Sequence, residues 1–97
     1  MEKDVRIGVV GVGHLGEFHV QKYRAMKGVD LVGVVDTNAA RAAEIAQRYD
    51  TRVYGSLEEI LGRVDAVSLA VPTESHFSVA EEILPRGVHL LIEKPIT

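Results

Sequence analysis

The sequence predicts an α/β domain: a doubly wound parallel sheet, strand order 3-2-1-4-5, with helices on both faces. Two observations carry this. Short apolar runs alternate with stretches of helical periodicity along the whole chain, the pattern of a parallel sheet whose crossovers are helices. The first apolar run also breaks into Gly11-Val12-Gly13-His14-Leu15-Gly16, and the second ends in Asp36, 20 residues after Gly16. A G-x-G-x-x-G between strand and helix, followed at that distance by an acid, is the fingerprint of a dinucleotide-binding, Rossmann-type sheet.

Each element has its own signal. Residues 5–10 are almost uniformly apolar, as in a parallel strand covered on both faces. A helix over about 14–27 follows, with Leu15, Phe18, Tyr23 and Met26 as its apolar face. Lys22, Arg24 and Lys27 favour its C-terminal dipole, and Gly28 is placed at C′. Residues 31–35 form the second strand. Ala42, Ile45, Ala46 and Tyr49 then recur at i, i+3, i+4 and i+7 in a helix over 39–49, capped by Thr37 or Asn38. Residues 51–54 make a short third strand at the sheet edge. Ser56 and Glu59 form a capping box for a helix whose apolar side is Leu57, Ile60 and Leu61, and Gly62 ends it. The fourth strand is 66–71, broken by Pro72-Thr73. Phe77, Ala80 and Leu84 mark a helix stopped by Pro85 and Gly87, and 89–92 is the fifth strand. The sixth strand usual in this order falls outside the 97 residues.

The glycines divide the chemistry of the loop. Gly11 lets the chain turn off the strand. Gly13 lets a pyrophosphate approach the backbone, and Gly16 lets the helix pack closely. The N–H groups at the helix start, from His14, Leu15 and Gly16, face the phosphates with the positive end of the dipole. Val12 completes the loop. Asp36 is positioned to hydrogen-bond the adenosine ribose, with Thr37 beside it; the alternative is that Asp36 only caps the next helix. A carboxylate there repels a 2′-phosphate, so NAD is expected ahead of NADP. Arg41 is the reservation, since a nearby arginine can accept that phosphate.

Composition narrows the functional classes. Ninety-seven residues support one small core. A net charge of −3 recommends neither nucleic acid nor an anionic membrane. No apolar run approaches the length of a membrane span, no signal-peptide pattern opens the chain, and a cytoplasmic location is expected. The absence of cysteine excludes disulfide and thiolate chemistry. No histidine pair has metal-ligand spacing, so no metal is expected. The serines lack a nucleophile elbow.

Ligands of an open α/β sheet sit outside the carboxyl ends of the strands. Here those ends are the glycine loop, Asp36-Thr37, Val71-Pro72-Thr73 and Glu93-Lys94-Pro95. The set resembles the Gfo/Idh/MocA family of NAD(P)-dependent oxidoreductases over the whole chain. Gly11 to Gly16 with His19 is similar to the family's G-x-G-x-x-G-x-x-H. Pro72-Thr73-Glu74-Ser75-His76 is similar to its P-[TN]-x-x-H, and Glu93-Lys94-Pro95 to its E-K-P.

The resemblance implies hydride transfer between NAD(H) and a hydroxyl of a sugar, nucleotide-sugar or polyol. Val71, Pro72, Thr73, His76, Glu93, Lys94 and Pro95 then belong to the nicotinamide half of the site. Lys94 is implied as the catalytic residue, hydrogen-bonding the reacting oxygen or relaying its proton. Glu93 either positions Lys94 or packs structurally, and Pro95 holds Lys94 extended; the isomer of their peptide bond is left open. His14 acts through its backbone, His19 and His76 have no derived role, and His89 is read as structural. The family's second, substrate-binding domain has no counterpart in residues 1–97, so the chain is read as the cofactor domain of a longer enzyme, inactive alone. A stand-alone NAD(H)-binding sensor is the alternative, and a plain interaction domain would not need the glycine spacing. An unpaired sheet edge leaves homo-oligomers open.

Overall fold

The computed structural model describes residues 4–11, 13–70 and 81–92. Its sheet is parallel throughout, built from β1 (Val5–Val10), β2 (Val29–Val35), β3 (Ala66–Leu69) and β4 (His89–Ile92) in the order β2-β1-β3-β4. Its helices include α1 (His14–Ala25), α2 (Ala39–Arg48) and α3 (Leu57–Leu61). Residues 81–83 are helical and run into a 3₁₀ turn at Leu84–Arg86.

The expected five-strand order holds except at its edge. In place of a strand over 51–54 there is one parallel bridge, Val34 to Val53. The Val34 N–H donates to the Arg52 carbonyl at 2.8 Å, and the Tyr54 N–H to the Val34 carbonyl at 2.9 Å. The segment cannot extend further because α2 claims its start. Asp50 takes a left-handed conformation (φ 54°), and the Thr51 N–H turns back to the Ala46 carbonyl, a Schellman-type ending without glycine. The Thr51 hydroxyl bonds the Leu31 carbonyl as well. The fourth strand is also shorter than expected, ending at Leu69.

Successive strand residues face opposite sides and build two cores. Ile7, Val9, Val34 and Ala66 face α1 and α2, packing with Val20, Tyr23, Ala42, Ile45 and Ala46. Val10, Val67 and Leu69 face the other side, with Ile60, Leu61, Val64, Ile83 and Val88. The sheet is therefore wound on both faces. Each helix presents a buried stripe. In α2 it is Ala42, Ile45 and Ala46, as the periodicity implies. In α1 it is the expected one only at Tyr23: Phe18 is 61% exposed and Met26 44%, while His19, Val20 and Tyr23 are buried. The stripe is rotated by one residue because Gly16 is the point of closest approach, and His19 follows it at i+3.

Caps follow the sequence with small shifts. Asn38 caps α2, its side chain accepting the Arg41 N–H at 3.0 Å, and Ser56 accepts the Glu59 N–H at 3.3 Å. Helix α1 stops at Ala25 with Met26 as C-cap, so left-handed Gly28 (φ 79°) lies one residue beyond the expected C′ position. Gly62 is the C-cap of α3, and left-handed Gly87 (φ 74°) follows the 3₁₀ turn.

The edge bridge explains a glycine within β2. A Cβ on Gly33 would lie 2.5 Å from Tyr54 Cε2 and 2.7 Å from the Arg52 carbonyl oxygen. A Cβ on Gly8 would lie 2.5 Å from the Cδ1 of Ile60, the movable end of a side chain. Gly33→Ala is therefore expected to destabilise by about 1–3 kcal/mol and Gly8→Ala by less. Urea unfolding of the two variants reads the difference; equal losses would contradict this account of the edge.

Candidate functional site

The site is assembled at the carboxyl ends of β1 and β2. Between Ile7 and Gly8 the register with β2 slips by one, so that Ile7 faces Leu31 but Gly8 faces Gly33. The slip brings Val10 opposite Val35, and the Gly11 N–H donates to the Val35 carbonyl at 2.7 Å. The glycine turn and Asp36 consequently leave the sheet side by side.

Gly11 has φ 93°, a conformation that L side chains rarely adopt, and it turns the chain off β1. Gly13 is the N-cap of α1, and the first intrahelical bond runs from the Glu17 N–H to its carbonyl at 2.8 Å. Helix geometry leaves the N–H groups of His14, Leu15 and Gly16 without an intrahelical acceptor, and Gly13 offers no side-chain cap. A Cβ added at Gly13 would meet nothing within 4 Å among the described residues. Its φ of −68° does not demand glycine either. No packing among the described residues accounts for glycine here, and a helix start without a side chain lets an anion approach its backbone. Gly16 differs: a Cβ there would overlap the Gly11 carbonyl. Its close approach is to the turn itself rather than to the sheet at large.

Asp36 is half-buried, and its Oδ1 accepts the Asn38 N–H at 2.8 Å. Asn38, not Asp36, caps α2. Asp36 braces the turn at the end of β2, which leaves the helix-cap alternative without support. Thr37 is exposed beside it and Leu15 half-buried. Arg41 points across to α1: its Nη2 lies 2.7 Å from Glu17 Oε1, and its Nη1 3.2 Å from Glu44 Oε1.

Strands β3 and β4 end on the same rim, Leu69 pairing with both Val10 and Ile92. The Ala70 N–H donates to the Val10 carbonyl at 2.8 Å. Val12, Val71, Pro72, Thr73, His76, Glu93, Lys94 and Pro95 lie outside the described residues, and so does the Lys94–Pro95 bond. A cleft of about 510 Å³ lies at the opposite end of the sheet, lined by Arg6, Asp30, Arg52, Tyr54 and Arg63. It sits at the amino ends of β1 and β2, away from the glycine turn and Asp36.

Two features of the site region are not legible in the sequence pattern. One is a polar bridge in the core: His19, 2% exposed, lies with Nδ1 2.9 Å from the hydroxyl of fully buried Ser68, joining α1 to β3. The helical spacing from Gly16 contains the signal for it, but a polar residue is passed over when faces are drawn from apolar ones. The other is a charge network between α1 and α2. Glu17 receives Arg41 and Arg48 on separate oxygens and the Tyr49 hydroxyl at 2.9 Å, and Arg48 also reaches Glu44 at 3.0 Å. Only the spacing of Arg41, Glu44 and Arg48 on α2 is visible in the sequence; Glu17 lies 24 residues before Arg41.

Comparison with known proteins matches this geometry to a family. Residues 5–97 fit the model of the oxidoreductase family with an NAD-binding Rossmann fold, GFO_IDH_MocA. The chain belongs to that family. It is 54% identical over 93 residues to UDP-N-acetylglucosamine 3-dehydrogenase of Acidithiobacillus ferrooxidans, covering 96% of this chain and 29% of that protein. It is 35% identical over 97 residues to inositol 2-dehydrogenase of Leifsonia xyli subsp. xyli, again covering 29% of the relative. The solved structure of the Acidithiobacillus enzyme superimposes with a TM-score of 0.90 at 52% identity, over 99% of this chain and 31% of that one. GenD2 from gentamicin A biosynthesis, solved in complex with NAD, also gives 0.90, at 33% identity over 98% of this chain and 28% of that one. The chain thus spans about three tenths of the length of the relatives it matches.

The charge network sets a pH dependence. Hydrogen bonds from Tyr49 and Arg41, then Arg48, lower the Glu17 carboxyl from its ordinary 4.5 to about 2. A carboxyl depressed in the folded state stabilises above its unfolded value and loses that contribution as pH falls. The stability gap between the parent and Glu17→Gln is expected to be full above about pH 4.5 and to close towards pH 2. Denaturant unfolding of both proteins across that range measures it; a gap independent of pH would show that Glu17 does not act through its charge.

Proposed function

We propose that this chain binds the dinucleotide of an enzyme that moves hydride between NAD(H) and a ring hydroxyl or ketone of a sugar, nucleotide-sugar or polyol. The observation that carries the reading is Gly13: a helix-start glycine that no described neighbour requires, on a loop whose Gly11 is bonded to the end of β2 just before Asp36. The names of the relatives support the substrate class, one acting on a nucleotide-sugar and another on inositol.

The donor set fits NAD. The N–H groups at the start of α1 take the pyrophosphate, and Asp36 accepts from the adenosine ribose hydroxyls. NAD is preferred over NADP, because the Asp36 carboxylate repels a 2′-phosphate. The cofactor supplies the hydride acceptor. The chain's own contribution to the chemistry is Lys94, assigned from the Glu93-Lys94-Pro95 motif. Its ammonium hydrogen-bonds the substrate oxygen and stabilises charge developing there as the hydroxyl proton leaves. Most substrate contacts and the general acid or base are assigned to a part of the longer enzyme outside residues 1–97. Positioning and proton transfer each lower the barrier by several kcal/mol.

Gly13→Val is expected to abolish NAD binding while leaving stability within about 0.5 kcal/mol, since the new side chain fills ligand space and touches no other described residue. Calorimetric titration with NAD, paired with thermal melts, checks both halves. A variant that binds NAD as the parent does would remove the loop from the phosphate site.

The 97-residue chain is expected to bind dinucleotide yet show no useful turnover when NADH absorbance is followed with a panel of sugars and nucleotide-sugars. In a longer protein containing it, Lys94→Ala should lower kcat by about 10²-fold or more with little change in NAD affinity. Robust turnover by the short chain would defeat the division of labour, and an unchanged kcat would defeat the role of Lys94.

A further inference from the structure

His19 is a buried polar residue to which dinucleotide binding, as read above, gives no part. It is 2% exposed, and its Nδ1 lies 2.9 Å from the hydroxyl of Ser68, which is fully buried. Ser68 is one of several neighbours of the ring, which also meets Tyr23 edge-on with centroids 6.1 Å apart. The bond to Ser68 ties α1 to the middle of the sheet, because Ser68 is in register with Val9 on β1 and with Leu91 on β4. His19 stands three residues after Gly16, on the same face of the helix. Ala70 stands two residues after Ser68, and a Cβ on Gly16 would lie 3.6 Å from the Ala70 Cβ. Helix α1 thus meets this run of chain at two successive points, Gly16 at Ala70 and His19 at Ser68. The first is a close approach without a bond. The second is directional. Apolar contacts such as those of Val20 tolerate a small rotation of the helix, whereas a hydrogen bond weakens steeply as its angle closes.

We propose that Ser68, acting through His19, is a positioning residue for the dinucleotide: their bond sets the rotation and height of α1 on the sheet, and with them the aim of the His14, Leu15 and Gly16 N–H groups at the pyrophosphate. The inference rests on the NAD reading above and deepens it. Hydrogen bonds from backbone N–H to a charged phosphate are the strong, angle-sensitive part of such a site. A tilt of α1 too small to unfold the domain therefore lowers affinity. His19 reaches no ligand itself, since it is enclosed between helix and sheet. Its effect passes along one helical turn to the N–H groups at the helix start.

The test titrates NAD calorimetrically into the 97-residue parent and into Ser68→Ala, His19→Asn and Ile60→Val, each well below its melting temperature. Ser68→Ala removes the hydroxyl with little change in volume. His19→Asn keeps a hydrogen-bonding group near the place of Nδ1 but leaves a cavity where the rest of the ring was. Ile60→Val deletes one methyl from the core on the other face of the sheet and serves as the control for lost stability. Ser68→Ala is expected to bind NAD about fivefold weaker or worse, the equivalent of one lost hydrogen bond, with the His14, Leu15 and Gly16 amide resonances shifted in the ligand-free protein. His19→Asn, although less stable than Ser68→Ala, and Ile60→Val are expected to stay within about threefold of the parent, so that affinity does not follow melting temperature. Ser68→Ala with the affinity of the parent, or losses of affinity that rise in step with losses of melting temperature, would overturn the inference. Ser68→Ala against Ile60→Val decides it even if His19→Asn does not fold. A parent without affinity for NAD would overturn the NAD reading, and this inference with it, before any variant is measured.

Discussion

The approach of α1 to the turn at Gly11 is the constraint on which the rest of this structure depends. A side chain at position 16 would overlap the Gly11 carbonyl, so the helix starts where it does only because Gly16 has none. Three consequences follow. The amino end of α1 has none of the described residues packed against it at Gly13. The stripe of α1 that meets the sheet becomes His19, Val20 and Tyr23. And Glu17, one residue after the contact, is turned towards α2. One absent methyl group thereby sets the amino end of the helix, the content of one core and one partner of Arg41.

The second constraint is register. A slip of one residue between β1 and β2 is small, but it decides which residues leave the sheet together. With Val10 opposite Val35, the Gly11 turn is tied to the end of β2 by a backbone bond, and Asp36 begins at the same height. Asp36 is then stiffened by the Asn38 N–H, so the carboxylate is held before any ligand arrives. Beyond β2 the sheet thins to a single bridge, because the Schellman-type ending of α2 takes up the Thr51 N–H.

Polar groups tie the helical layer to itself and to the sheet at two depths. Near the surface Glu17 gathers donors from α2 and its C-cap, and its low carboxyl pKa is the electrostatic trace of that convergence. In the core the His19 and Ser68 pair satisfies two polar groups that would otherwise be costly to bury. Both start from helix α1: His19 closes the G-x-G-x-x-G-x-x-H pattern, and Glu17 lies at a position that the pattern leaves open.

The parts of this protein legible in the sequence are those encoded by short spacings. Alternating apolar runs and helical periods determine a parallel sheet wound on both faces. The 11–16 glycine spacing and Asp36 mark the carboxyl ends of β1 and β2, and Asn38, Ser56 and Gly62 determine helix ends, since caps act within one turn. What remained undetermined involves partners distant in the chain. The third strand dwindled to a bridge because of how α2 ends, the buried face of α1 rotated around Gly16, and Arg41 was claimed by a glutamate 24 residues earlier. Local spacing records what a residue does to its own turn or strand. Which side chain meets it from another element depends on how closely two backbones approach, and only the packed structure sets that distance.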